Sequence, residues 1–337
     1  MKKKKLSRRI FLEKMLATTA IVSSVGSVVN PQRSFSMEHK VSRKSFHKIG
    51  IIGLDTSHSE VFSKIINEGE LKSRGFKVVA AYPHGSKDIA SALDMKQGVI
   101  DAVRRLGVEI VDSIEQLLAN VDFVLLESND GKVHLEQAKL VFSEKKPVFI
   151  DKPLAGSLKD VKEIIALSKH HQTPFFSSSA LRYDTNVVKV KNGAIGPVTG
   201  ADVYTPAEID PGHLDMAWYG IHGVEMLFTV MGPGCQSVRR VHTEGTDMLV
   251  GMWTDGRVGT VRGIRKGAAS ISGVAFGEKG ISPLGPFTTY VPLVDKILTF
   301  FETRIPPFYI EETLEIFQFM HAADVSKAKN GKEIKLK

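Results

Sequence analysis

A single cysteine, Cys235, stands in 337 residues, so the chain has no intramolecular disulfide and no zinc site built on cysteine pairs. A chain this long can bury a sufficient core without such staples, so their lack leaves an oxidising compartment open. Also missing is a basic stripe interleaved with aromatics, the footprint of nucleic-acid binding. The net charge of +8 is basic, but residues 1–44 hold 11 Lys/Arg against 2 Asp/Glu. The remaining residues carry 34 basic and 35 acidic groups, a near-neutral body with no call for a nucleic-acid partner. The uncharged run 15–29 is diluted by Ser, Thr and Gly and ends at Asn30-Pro31, short of the ~20 residues a spanning helix needs. There is no internal repeat.

What is present begins with Lys2 to Lys5, then Ser7-Arg8-Arg9-Ile10-Phe11-Leu12, then the uncharged run. This resembles a twin-arginine export signal. It implies a protein handed folded to the export machinery and delivered to the periplasm, with residues 1–44 as signal and linker. Without a clean small-residue cleavage site, the mature start is expected between about residues 30 and 45. Export in the folded state suits a protein that takes up its cofactor beforehand.

From Phe46 short apolar runs alternate with amphipathic stretches. Strands are expected at 48–53, 77–82, 121–126, 147–150 and 174–178. Helices are expected at 57–68, 89–106, 113–120, 134–143 and 157–170. Ser57 with Glu60, and Ser113 with Gln116, have the spacing of helix caps. Strict alternation of this kind predicts an α/β fold with a doubly wound parallel sheet, whose ligands bind at the carboxyl ends of the strands. After about Leu181 the pattern changes to strands at 196–205, 238–244, 248–253, 259–264 and 270–276, then a helix at 310–329. That predicts a second α+β domain with a mostly antiparallel sheet. The expected division is 45–152 for the dinucleotide-binding domain and 153–337 for the substrate domain.

Several segments line up in order with one family. Ser128, Asn129 and His134, followed by Asp151-Lys152-Pro153, resemble a strand ending in T-P-N, a His on the next helix, and a strand ending in Glu-Lys-Pro. Leu181-Arg182-Tyr183-Asp184 is similar to an R-[FY]-x-P segment. Residues 193–198 match a G-x-I-G turn, and residues 219–225 a G-x-H-x-x-D segment. The chain thus resembles the glucose-fructose oxidoreductase and inositol dehydrogenase (Gfo/Idh/MocA) family over about residues 46–336. The resemblance implies a Rossmann domain with NAD(P) and oxidation or reduction of a sugar or polyol carbon. It implies Lys152 as proton carrier and electrostatic stabiliser, with His222 assisting. Ser128, Asn129, His134, Asp151 and Lys152 would line the cofactor, and Arg182, Tyr183 and Trp218 the substrate. Association into a homo-oligomer is also expected.

Three departures stand out. A dinucleotide loop wants G-x-G-x-x-G after the first strand. Here it reads Gly53-Leu54-Asp55-Thr56-Ser57-His58. Asp55 at the second glycine position is expected to face the pyrophosphate, and His58 at the third to offset its charge. Gly53, Thr56, Ser57 and His58 are the residues left to hold the phosphates. The second strand ends Tyr82-Pro83-His84-Gly85-Ser86, with no acid for a ribose 2′-OH, which tips the expectation slightly towards NADP. Trp218 stands where the family often has an Asp before His222, and Asp215 or Glu225 is available as a substitute. The group Glu208, Asp210, His213 and Asp215 reads as a polar loop or a site for a hard metal or sugar hydroxyls, and no metal is expected. Three readings follow: an NAD(P)-linked sugar oxidoreductase, a redox-silent relative performing elimination or hydrolysis, or a carbohydrate-binding protein.

Overall fold

The computed structural model describes residues 46–337. The twin-arginine pattern lies outside them. No helix among the described residues is long and apolar enough to cross a membrane.

The first half alternates β and α units as the sequence predicts. They are β1 (His47–Ile52), α1 (Ser57–Asn67), β2 (Phe76–Tyr82), α2 (Ala90–Arg105), β3 (Glu109–Ile110) and α3 (Ile114–Leu118). Then follow β4 (Phe123–Leu126), α4 (Gly131–Ser143), β5 (Val148–Ile150), α5 (Leu158–His171) and β6 (Phe175–Phe176). All pair in parallel in the order β3-β2-β1-β4-β5-β6. The order reverses between β1 and β4, which opens a crevice at their carboxyl ends. Strands β4 and β5 are buried at every residue because helices cover both faces, so they read as unbroken apolar runs. The parallel sheet runs past residue 152, since β6 adds to β5 at Phe175 and Phe176.

The second half contains α6 (Thr185–Lys191), β7 (Val198–Pro206), α7 (Ile221–Met231), β8 (Cys235–His242), β9 (Thr246–Trp253) and β10 (Val258–Ile264). It continues with β11 (Ser272–Gly277), β12 (Gly280–Leu284), α8 (Val291–Thr303), α9 (Ile310–Ala328) and β13 (Ile334–Lys335). The seven strands run β12-β11-β7-β10-β9-β8-β13, and only β7 with β10 is parallel. On β9 every second residue is buried, which is the period-2 signature of a sheet packed on one face. The expected α/β architecture, a Rossmann sheet followed by a mostly antiparallel α+β part, is the one observed.

Helices α6, α7 and α8 were not legible as such. Helix α7 is apolar nearly all round and buried from Gly223 to Met231, so it lacks an amphipathic stripe. Helix α8 does carry a stripe: Leu293, Val294, Ile297, Leu298, Phe300 and Phe301 are buried. Pro286 and Pro292 around its start read as loop punctuation, although Pro is well tolerated in a first helical turn. This stripe joins the core of β1, β2 and β4, where each such side chain contributes roughly 1.5–3 kcal/mol of burial. Helix α8 therefore returns from the second half onto the parallel sheet and brings Tyr290, its cap residue, to the strand ends.

Gly53 is the one loop glycine retained, and the geometry requires it. Its φ is +93°, and a Cβ there would lie 2.5 Å from the backbone nitrogen of Ser128. Gly53→Ala is expected to destabilise the protein by about 2 kcal/mol or more. Urea denaturation measures this, and a loss below about half a kcal/mol would contradict the close packing.

Candidate functional site

The loop after β1 does not present its acid to the crevice. Asp55 is 1% exposed. Its Oδ2 accepts from the Ser86 backbone N–H at 2.6 Å and its Oδ1 from that of Asn129 at 3.2 Å. The expectation that Asp55 faces a pyrophosphate is thus corrected: two amides from neighbouring loops draw the carboxylate inward. Each such charge-assisted bond contributes about 1.5–3 kcal/mol. Gly85 permits the approach, because a Cβ there would lie 2.5 Å from Asp55 Oδ1. Thr56, not Ser57, caps α1, its Oγ1 accepting from the His58 N–H at 3.4 Å. That leaves the exposed Ser57 hydroxyl at the positive end of the helix.

His58 is also turned inward. Its Nδ1 meets Asp151 Oδ2 at 2.7 Å, and its Nε2 meets the Tyr290 hydroxyl at 3.1 Å. Burial, then Asp151, push the Tyr290 phenol up to about 12, so it remains an O–H donor. Burial alone would raise the Asp151 carboxyl. The His58 imidazole and the Lys152 ammonium outweigh it and hold the group below the ordinary range. Beside it lies Glu127, the residue following β4, fully buried with neither carboxylate oxygen hydrogen-bonded. Burial and then the Asp151 charge push Glu127 well above the usual carboxylate range.

Lys152 follows β5, is 9% exposed, and precedes a cis peptide to Pro153. Its ammonium lies 5.9 Å from the centroid of the Tyr219 ring. His222 sits in the first turn of α7. Its Nδ1 is 2.7 Å from Ser179 Oγ, which leaves Nε2 as the free ring nitrogen. Burial first, then the Lys152 and His58 charges, lower the His222 pKa well below its ordinary value. The ring is therefore neutral near pH 7, and its place at a helix N-terminus acts in the same direction. Neither proposed substitute for the missing Asp reaches it. Glu225 accepts from Arg182 Nε at 3.0 Å, and Asp215 pairs with Arg240 and Lys327 at 2.8 and 2.7 Å. Ser179 holds the ring instead.

A cleft of about 550 Å³ joins these groups at the strand ends. It runs from Ser91 and Met95 on α2, past Thr56, Ser57, His58 and Asn129, to Lys152, His222, Trp218, Tyr219 and Tyr290. Trp218 packs against His213, with ring centroids 5.2 Å apart.

Other expected site residues lie elsewhere. Arg182 is 2% exposed, bonded to Glu225 and Glu312 and stacked on Phe308, so it is a buried anchor that does not line the cleft. Tyr183, its neighbour, lines a separate cavity. His134 is fully buried between the carbonyls of Ser128 and Leu154, at 2.7 and 3.2 Å, and ties two loops together without facing the cleft. Ser128 is buried and donates to Gln137 Oε1 at 2.8 Å. The Glu208–Asp215 group is dispersed: only Glu208 lines the cleft, while His213 pairs with Asp210 and Asp130 at 2.7 and 3.2 Å. Cys235 is buried, its thiol pushed up to about 12 by burial and Glu315. Glu127, Ser179, Tyr219 and Tyr290 were not anticipated. Glu127 alone left a signal, an acid directly after an apolar strand.

Residues 47–178 match the family model described as oxidoreductase family, NAD-binding Rossmann fold (Gfo/Idh/MocA). No curated protein sequence matches the chain. A probable dehydrogenase from Thermotoga maritima is similar in structure, with a TM-score of 0.68 at 21% identity, covering 86% of this chain and 98% of that one. So is scyllo-inositol dehydrogenase from Lactobacillus casei, solved with NAD(H) and scyllo-inositol, with a TM-score of 0.69 at 16% identity over 86% and 99% of the two chains. For myo-inositol 2-dehydrogenase from Lactobacillus plantarum the TM-score is 0.69 at 19% identity over 87% and 100%. Residues 47–178 therefore carry the sequence pattern of the Gfo/Idh/MocA NAD-binding Rossmann domain, and the described chain as a whole has the fold these dehydrogenase structures share.

Proposed function

We propose that the protein is a dinucleotide-linked oxidoreductase acting on a CH–OH group of a sugar or cyclic polyol. The observation that carries this reading is the convergence of Lys152 and His222 on one cleft that also contains the N-terminus of α1. The match of residues 47–178 to an NAD-binding oxidoreductase model supports it, as does the fold shared with inositol dehydrogenases.

The cleft fits a dinucleotide. Asp55 is turned out of it, Thr56 and Ser57 offer hydroxyls at a helix N-terminus, and the lining continues to Asn129 and Lys152. When bound, the nicotinamide supplies the acceptor for the hydride. The chain's own residues do the rest. The Lys152 ammonium stabilises the developing alkoxide, and the neutral His222 ring takes the hydroxyl proton at Nε2. His222, neutral and fixed through Nδ1 by Ser179, orients the hydroxyl through Nε2. Trp218 and the 42%-exposed Tyr219 form an aromatic wall for a sugar or cyclitol face, and Glu208 accepts from its hydroxyls. NADP is the preferred dinucleotide on this reading, because β2 ends without a carboxylate and His84 and Lys87 are exposed there. The pattern Ser7-Arg8-Arg9-Ile10-Phe11-Leu12 supports action in the periplasm after export in the folded state.

Native mass spectrometry of the purified protein is expected to find one dinucleotide per chain, with NADP giving the larger thermal shift. An empty protein stabilised by neither dinucleotide would sink the reading. With an inositol and aldose panel, Lys152→Met is expected to lower kcat by about 10²–10⁴-fold while dinucleotide binding persists. The same substitution removes a cation that depresses His222, so its imidazole should titrate at higher pH by NMR. An unmoved His222 titration would show that the two groups do not share the cleft. For the location, replacing Arg8 and Arg9 by Lys should retain the protein in the cytoplasmic fraction. Unchanged periplasmic recovery would refute the twin-arginine route.

A further inference from the structure

At the carboxyl ends of β4 and β5, just behind the cleft, His58, Glu127 and Asp151 converge. They come from three separate elements, and one ligand atom from each lies within 4.8 Å of the others. The residues are 7%, 0% and 2% exposed. Both Glu127 oxygens and Asp151 Oδ1 are buried and lack any hydrogen-bond partner. Three of the four carboxyl oxygens beside the imidazole lack a partner, and only Asp151 Oδ2 meets His58, an unusual arrangement. Buried carboxylates are normally paired or hydrogen-bonded, and the other common way to satisfy them is a cation. The neighbouring Lys152 ammonium turns to the cleft wall, near Tyr219.

We propose that His58, Glu127 and Asp151 form a binding site for one divalent transition-metal ion of the Mn²⁺ or Zn²⁺ kind. One imidazole nitrogen and two carboxylates are the donor set these ions take. The ion enters from the cleft, which His58 lines. It takes the place of a proton at His58 Nδ1 and leaves the ring with a single proton, on Nε2. From there the ring donates to the Tyr290 oxygen, now 3.1 Å away, the outer contact that orients a ligating histidine. Glu127 gives its proton up to solvent as the ion binds, the two carboxylates neutralise the ion, and Asp151 Oδ1 and Glu127 gain the partner they lack. The inference concerns a site next to the cleft, and it stands whether or not the dinucleotide reading is correct.

The test uses the full chain freed of metal with a chelator, then titrated with Mn²⁺ alone and with Zn²⁺ alone. Free Mn²⁺ is followed by electron paramagnetic resonance, Zn²⁺ by calorimetry, and melting is followed in both series. The expected result is one equivalent per chain and a rise in melting temperature. Glu127→Gln keeps the size of the side chain and should weaken binding at least tenfold, as should Asp151→Asn. Replacing His170 and His171 by Ala, a pair distant in sequence, should leave the affinity unchanged. Failure of both ions to bind overturns the proposal. So does binding that Glu127→Gln leaves intact, or binding that the His170/His171 replacement abolishes. Should Asp151→Asn fail to fold, Glu127→Gln decides alone.

Discussion

The carboxylate of Asp55 holds together the ends of three strands. It belongs to the loop after β1 and accepts from the amide of Ser86 after β2 and of Asn129 after β4. In a glycine-rich dinucleotide loop no side chain stands at this point. Here a side-chain anion fixes neighbouring loops across the top of the sheet. The demands then pass to other positions. Gly85 cannot carry a Cβ because Asp55 occupies the space, and Gly53 cannot because Ser128 does. The cleft-facing part of the loop is accordingly Thr56, Ser57 and the first turn of α1.

The second constraint is charge buried at consecutive strand ends. Glu127 follows β4, Asp151 and Lys152 follow β5, and α1 adds His58. Burial and the Asp151 charge raise the Glu127 carboxyl, whereas the His58 imidazole and Lys152 hold that of Asp151 below the ordinary range. His222 responds to the same fields from across the cleft and stays neutral. Helix α8 completes the arrangement. Its apolar stripe anchors it on the parallel sheet, and that anchoring delivers the Tyr290 hydroxyl to His58.

Some of the residues the resemblance points to are packed away from the cleft. Arg182 looks like a substrate contact in its motif, yet a guanidinium 2% exposed between two glutamates and the Phe308 ring is a structural anchor. His134 cross-ties two loops. His222 Nδ1 meets a serine, Ser179, a contact no spacing rule would suggest. Trp218, where the family often has an Asp, lines the cleft as an aromatic wall.

The sequence by itself determined the architecture. Apolar runs of strand length alternate with amphipathic helices from residue 47 to 176, and hydrophobic period is a local property that survives any tertiary context. It also marked Lys152, His222, Asn129, Thr56, Ser57 and Trp218 for the cleft, through residues adjacent in the chain. Only the tertiary structure decided which way Asp55 and His58 point, and which groups meet. Ser179 and His222 are 43 residues apart, His58 and Asp151 93, and His58 and Tyr290 232. Such contacts follow from how sheets and helices stack, and a linear pattern carries no signal for them. For Glu127 the sequence shows only an acid after an apolar strand. Its chemistry depends on being buried beside Asp151, and burial at that point is set by the parallel pairing of β4 with β5.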